Sequence, residues 1–128
     1  MKIFGIGTDL VAIKRIKKIW EHFGQAFARR ILTSNELAEF EKTSLPISFL
    51  AKRYAAKEAV AKAIGTGFRP ETFWLTDIGV SNDTMGKPHL EFSERMQVIL
   101  NTQGITQCHL SLSDEKDYAL AFVVLGTN

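Results

Sequence analysis

Two carboxylates and a small group of cations carry the chemistry open to this sequence. Asp9 closes the apolar opening run MKIFGIGTD, and Glu58 and Lys62 lie within FLAKRYAAKEAVAKAIGTG at 49–67. That second stretch has the periodicity of a helix, on which residues four apart are neighbours, so Glu58 and Lys62 share a flank. At about 100° per residue, Phe49, Leu50, Tyr54, Val60 and Ile64 fall on one arc, and that arc should face the core. Arg53 and Lys57 project within it, where a merely structural helix would not put cations. Ala55, Ala59 and Ala63 border Glu58 and Lys62 and leave room for something to approach closely. The run ends in Gly65-Thr66-Gly67, which can adopt φ > 0 and bring bare backbone N–H groups to a ligand. Cations, one carboxylate and free amides together suggest a phosphate and metal site, with Arg53, Lys57 and the amides of 65–67 holding phosphates. The bland alternative is an alanine-rich core helix with a few ion pairs.

Asp9 has two readings as well: the N-cap of a following helix, or a metal ligand. As a ligand it pairs with Glu58. Mg²⁺ prefers oxygen, keeps several waters and is commonly held by one or two carboxylates together with substrate phosphates, so the pair suits a diphosphate substrate. Zinc is excluded, because Cys108, His22, His89 and His109 have no metal-ligand spacing. A serine-hydrolase elbow is absent, and Gly65-Thr66-Gly67 ends a helix where a P-loop would precede one. Gly5-Ile6-Gly7 is no dinucleotide fingerprint, since no third glycine follows at the required spacing. Further candidates for a phosphate are Lys87-Pro88 after Gly86, and His109, which shares a strand face with Ser111 and Ser113.

These residues need elements to position them. Residues 2–11 read as a buried first strand in which Gly5 and Gly7 mark a bulge or the close approach of another group. Residues 12–30 form a basic amphipathic helix, with Ile16, Ile19, Trp20, Phe23 and Phe27 inward and Lys14, Arg15, Lys17 and Lys18 outward, either a solvated face or a docking surface for an acidic partner. Thr33 and Glu36 have capping-box spacing for a short helix to about Lys42, and Pro46 suits the first turn of the long central helix. Alternation over Thr72–Ser81 reads as a strand, 82–87 as a turn and His89–Phe92 as its partner. Ser93 caps a helix ending before Gly104, and Thr106–Ser113 with Tyr118–Leu125 makes a closing hairpin. The expected class is therefore α+β, a mostly antiparallel sheet packed around a long central helix.

Composition narrows the function. A chain of 128 residues is long enough for one domain with its own core, and 45% hydrophobic content is that of a globular protein. The net charge of +2 is too small to argue for nucleic acid. Asp9 interrupts the opening apolar run, which we read as part of the fold and not as a signal or membrane span. A lone cysteine can form no intrachain disulfide, which is compatible with a reducing, cytoplasmic setting.

GIGTDLV at 5–11, the 49–67 stretch and HLSLSDEKDYALAFVV at 109–124, with TSNE at 33–36 and GKP at 86–88, together resemble the small holo-acyl-carrier-protein synthases, the short class of 4′-phosphopantetheinyl transferases. The resemblance runs from the first strand to the last. It implies a single transferase domain over 1–128 that moves the 4′-phosphopantetheine arm of coenzyme A onto a serine hydroxyl of acyl carrier protein, releasing adenosine 3′,5′-bisphosphate, in the service of fatty acid biosynthesis. It also implies a homotrimer with active sites at subunit interfaces, Mg²⁺ held by Asp9 and Glu58, and Lys62 as candidate proton acceptor, with a metal-bound water as the alternative. The acidic carrier would dock on Lys14, Arg15, Lys17 and Lys18. Asp114 stands where many relatives carry histidine, so no catalytic role is assigned to it.

Overall fold

The computed structural model describes residues 1–128. Strand β1 (Lys2–Ala12) is followed by α1 (Ile13–Phe23), α2 (Gln25–Ile31), α3 (Ser34–Phe40) and the long α4 (Pro46–Ile64). A single 3-10 turn (Leu75–Asp77) then leads into β2 (Ile78–Asn82) and β3 (Pro88–Phe92), and α5 (Glu94–Thr102) precedes the closing strands β4 (Ile105–Asp114) and β5 (Tyr118–Thr127). All pairing is antiparallel, in a three-stranded sheet of order β1-β5-β4 and a separate β2-β3 hairpin. This is the expected α+β class.

Local rules account for most boundaries. Thr33 and Glu36 form a reciprocal capping box, Thr33 N–H donating to Glu36 Oε1 at 2.9 Å and Glu36 N–H to Thr33 Oγ1 at 3.2 Å. Ser93 Oγ accepts from the Met96 amide and starts α5, while Pro46 opens α4 and left-handed Gly65 closes it. Two expectations are corrected. The helix foreseen over 12–30 is broken at Gly24, whose φ of 56° turns the chain between α1 and α2. The strand foreseen from Thr72 begins only at Ile78, because Asp77 Oδ2 accepts the Trp74 amide at 2.7 Å and winds 75–77 into a turn.

Helix α4 is the axis of the molecule. Its buried residues include Phe49, Leu50, Ala51, Ala55, Ala56, Ala59, Val60 and Ala63, on more than one side, because β1 and β5 cover one flank and α1, α3 and β2 others. The closest approach is to β1. A methyl group on Gly5 would collide with the Ala63 carbonyl, and one on Gly7 with the Ala59 carbonyl. The room left by the small side chains is thus filled by a strand backbone, and the approaching group that Gly5 and Gly7 signalled is α4 itself. A register shift between Ile3 and Gly5 supplies the irregularity too.

The description of β1 as a buried strand needs correction. Its inward row is Gly5, Gly7, Asp9 and Val11, whereas Ile6 and Leu10 on the outward row are 59% and 62% exposed. No helix is long and apolar enough to cross a membrane. If the strand-to-helix seam sets the fold, Gly7→Ala should destabilise the protein by about 3 kcal/mol or more, since a backbone carbonyl cannot move aside as a side chain would. Urea unfolding reads this directly, and an unchanged midpoint would contradict the seam.

Candidate active site

Alternation along β1 puts Asp9 on the same face as Gly5 and Gly7, so the seam that admits the glycines delivers its carboxylate to α4. The capping alternative for Asp9 is ruled out: α1 starts at Ile13, its N-cap is Ala12, and no side chain caps it. Lys62, from the last turn of α4, donates to Asp9 Oδ1 at 3.1 Å and to the Thr8 carbonyl at 3.0 Å. Glu58 lies one turn earlier. Burial pushes its carboxyl above the ordinary range and the charge of Asp9 pushes it further, while Tyr54, Lys62 and Arg15 act in the opposite direction. The charge of Asp9 thus acts on Glu58 across the seam, with the cations Lys62 and Arg15 opposing it.

Tyr54 and Arg15 are additions to the expected set. Tyr54 sits four residues before Glu58, a spacing visible in the sequence, and burial followed by the Glu58 charge raises its hydroxyl pKa. Arg15 was grouped with Lys14, Lys17 and Lys18 as docking surface. All four are exposed on α1, but Arg15 also acts electrostatically on Glu58.

Lys57 is a correction, and Arg53 is its buried neighbour. Lys57 is fully buried, and its ammonium donates to Glu36 Oε1 at 2.7 Å, to the Leu75 carbonyl at 3.0 Å and to the Ile78 carbonyl. Burial lowers its pKa and Glu36 opposes the shift. Arg53, also buried, lies 3.6 Å from Glu36 and 3.4 Å from Glu39, with its guanidinium over the Phe49 ring. Lys57 has no donor left for a phosphate, whereas Arg53 still lines a polar surface pocket with Lys42, Lys52 and Asn82. Glu36 is the buried carboxylate that answers both cations; its second oxygen accepts the Val80 amide at 2.9 Å.

The remaining candidates divide between two regions. Gly65, Thr66 and Gly67 are exposed just beyond Lys62; the Gly65 amide is taken by the Ala61 carbonyl at 2.9 Å as α4 closes, which leaves Thr66 and Gly67 as the amides open to a ligand. Lys87 and Pro88 belong to the β2-β3 hairpin, which packs against β4, the strand at the opposite edge of the sheet from β1. His109 is on β4 itself, exposed on the face turned away from α4, with Ser111 and Ser113. One protomer therefore does not bring Lys87, Pro88 and His109 to Asp9 and Glu58. Glu58 also borders an apolar cavity of about 660 Å³, walled by Ile19, Phe23, Phe27, Phe68 and Trp74.

Residues 5–123 match the 4'-phosphopantetheinyl transferase superfamily. A holo-[acyl-carrier-protein] synthase of Nitrosospira multiformis is 51% identical over 96% of this chain and 98% of its own. The chain belongs to the holo-acyl-carrier-protein synthases of that superfamily. It is accordingly an enzyme, a phosphopantetheinyl transferase. The crystal structure of the Neisseria meningitidis synthase superimposes with a TM-score of 0.94 at 50% identity, covering 98% of this chain and 99% of that one. The Helicobacter pylori synthase, solved in complex with coenzyme A, does so at 0.82 and 28%, over 94% and 99%.

The donor set at Asp9 and Glu58 is hard oxygen, as a hard dication requires. No group of three or more His, Cys, Asp and Glu side chains gathers in the chain, so such an ion would draw its other ligands from substrate and water. The raised pKa of Glu58 fixes a sign. Ionising it costs folded-state stability as pH rises from the ordinary value of 4.5 through the raised one. Glu58→Gln should therefore melt a few degrees above the parent at pH 7.5 without metal, and the gap should close below pH 4. Thermal melts across pH check this, and a less stable variant at pH 7.5 would contradict the assignment.

Proposed function

We propose that this transferase domain moves the 4′-phosphopantetheine arm of coenzyme A to a serine hydroxyl of an apo acyl carrier protein in the cytoplasm, with Mg²⁺ at Asp9 and Glu58. The observation that carries the reading is the Asp9, Glu58 and Lys62 constellation in a chain of this family. In the reaction the serine oxygen bonds to the phosphorus that bears the pantetheine arm. The bond from that phosphorus to the oxygen of the adenosine-side phosphate breaks, and adenosine 3′,5′-bisphosphate leaves. Bound Mg²⁺ would neutralise the charge that develops on the diphosphate. The chain's own part is mainly positioning. Asp9 and Glu58 present oxygens, the exposed Thr66 and Gly67 backbone receives phosphate, and Lys62, once it has given up its own proton, would take that of the serine, with a metal-bound water as the alternative acceptor. The cavity at Glu58 offers the uncharged arm a water-poor wall.

The test combines the protein, coenzyme A, Mg²⁺ and an apo carrier protein, with arm transfer followed by mass. The parent should transfer, and Asp9→Asn and Glu58→Gln should lose about a hundredfold or more, the scale of a lost electrostatic contact to the reacting group. Bisphosphate released without an acceptor would instead indicate a hydrolase, and binding without turnover a carrier-binding module. The same assay reads the basic helix. Reversing Lys14, Lys17 and Lys18 should raise KM for the acidic carrier steeply at low salt and less at high salt.

The assembly reading has a separate support. On the outward sheet face Leu10, Leu120 and Ser113 form one cross-strand row, Thr8, Phe122 and Ser111 the next, and Ile6, Val124 and His109 a third. The β1 and β5 part of this face is largely apolar and the β4 part polar. A cyclic trimer uses head-to-tail contacts, so one copy's apolar half meets a different part of its neighbour and a β4 strip can reach the next copy's site. Lys87, Pro88 and His109 of one copy would then complete the phosphate site at Asp9 and Glu58 of another. Phe122→Glu should reduce the assembly to monomers in sedimentation and abolish turnover, whereas a trimer that persists would contradict this arrangement.

A further inference from the structure

Lys62 already occupies one oxygen of Asp9. Its ammonium sits 3.1 Å from Oδ1 and is fixed a second time by the Thr8 carbonyl at 3.0 Å. The two partners differ in freedom: the Lys62 side chain is 55% exposed and the Asp9 side chain only 14%. The carboxylate is held by the β1 seam, whereas the ammonium stands on a flexible stem and can swing into water. Glu58 on α4, four residues before Lys62 and so its neighbour on the helix, is the other carboxylate here. Arg15 from α1 and Lys62 from α4 are the cations that act on it, and Tyr54 faces the same carboxylate. A divalent cation entering between Asp9 and Glu58 would meet the like charge of the ammonium and an Asp9 oxygen that already accepts its hydrogen bond.

We propose that Lys62 is the resident counter-cation of the metal-free site, and that it gives up Asp9 when a divalent cation binds. The inference rests on the Asp9 and Glu58 metal reading above and adds a sign to it. Lys62 opposes the metal when no substrate is present, even though it belongs to the same constellation. Removing the ammonium therefore tightens metal binding, where a lysine that merely held Asp9 in place would leave it weaker when removed. A part-exposed ion pair, together with direct repulsion by the released charge, sets the expected gain at about three- to tenfold in affinity.

The experiment titrates the intact protein with Mn²⁺ in the absence of coenzyme A and follows the free ion by electron paramagnetic resonance. Lys62→Met should bind about three- to tenfold tighter than the parent, and Lys62→Arg, which keeps the charge, should stay close to it. Equal or weaker binding by Lys62→Met overturns the counter-cation role. Asp9→Asn and Glu58→Gln are read alongside. If both bind Mn²⁺ as tightly as the parent, the carboxylate pair is not the metal site and the underlying reading fails. If both lose binding while Lys62→Met is unmoved, only the inference about Lys62 fails.

Discussion

The contact between the backbone of β1 and the backbone of α4 is the constraint on which the rest depends. Strand and helix usually meet through layers of side chains, but here Gly5 and Gly7 have none and Ala59 and Ala63 have almost none. The strand therefore lies directly on the helix carbonyls. Two residues beyond Gly7 on the same face, Asp9 has no choice but to arrive at the flank carrying Glu58 and Lys62. A pair of carboxylates that would repel one another if free to move is held together by packing elsewhere, and burial first and then the Asp9 charge raise the pKa of Glu58.

A second group of charges keeps α4 in position from its other side. Glu36 leaves the capping box of α3 with one oxygen on Lys57 and the other on the Val80 amide, and Lys57 goes on to the carbonyls of Leu75 and Ile78. One buried ion pair thus ties α3, α4, the 75–77 turn and β2. Removing either partner would leave the other as an uncompensated buried charge, which is why such pairs specify an arrangement more than they add net stability. The turn fixed this way carries Trp74 and Leu75, both in the wall of the cavity beside Glu58. Structural and functional cations are neighbours in sequence here, but they serve opposite faces of one helix.

That division explains what the sequence made legible. Rules that act over a few residues were readable in advance: the Thr33 and Glu36 box, Ser93 as a cap, Pro46 at the start of α4 and Gly65 at its end. Asp9, Glu58 and Lys62 could be singled out because charge in an apolar context needs a reason. Arg53 and Lys57 had an equally good reason, but it lay in Glu36, and nothing in local spacing says that a capping glutamate will also be the buried partner of residues on the next long helix. The strand expected from Thr72 failed because one carboxylate, Asp77, satisfied a backbone amide three residues back. The outward face of β1 reads as core in the sequence because a run of apolar residues looks the same whether or not its own chain covers it. Ile6 and Leu10 are exposed in the single chain.

The central claim is that the seam delivers Asp9 and Glu58 to one shared cation. A crystal of the protein with coenzyme A and Mn²⁺, examined for anomalous scattering at the manganese edge, tests it most directly. The account predicts one strong peak within bonding distance of both carboxylates, at about 2.0 to 2.3 Å as for hard divalent ions. A peak bound by only one of the two, or two carboxyl groups that no single ion can bridge with substrate in place, would contradict it.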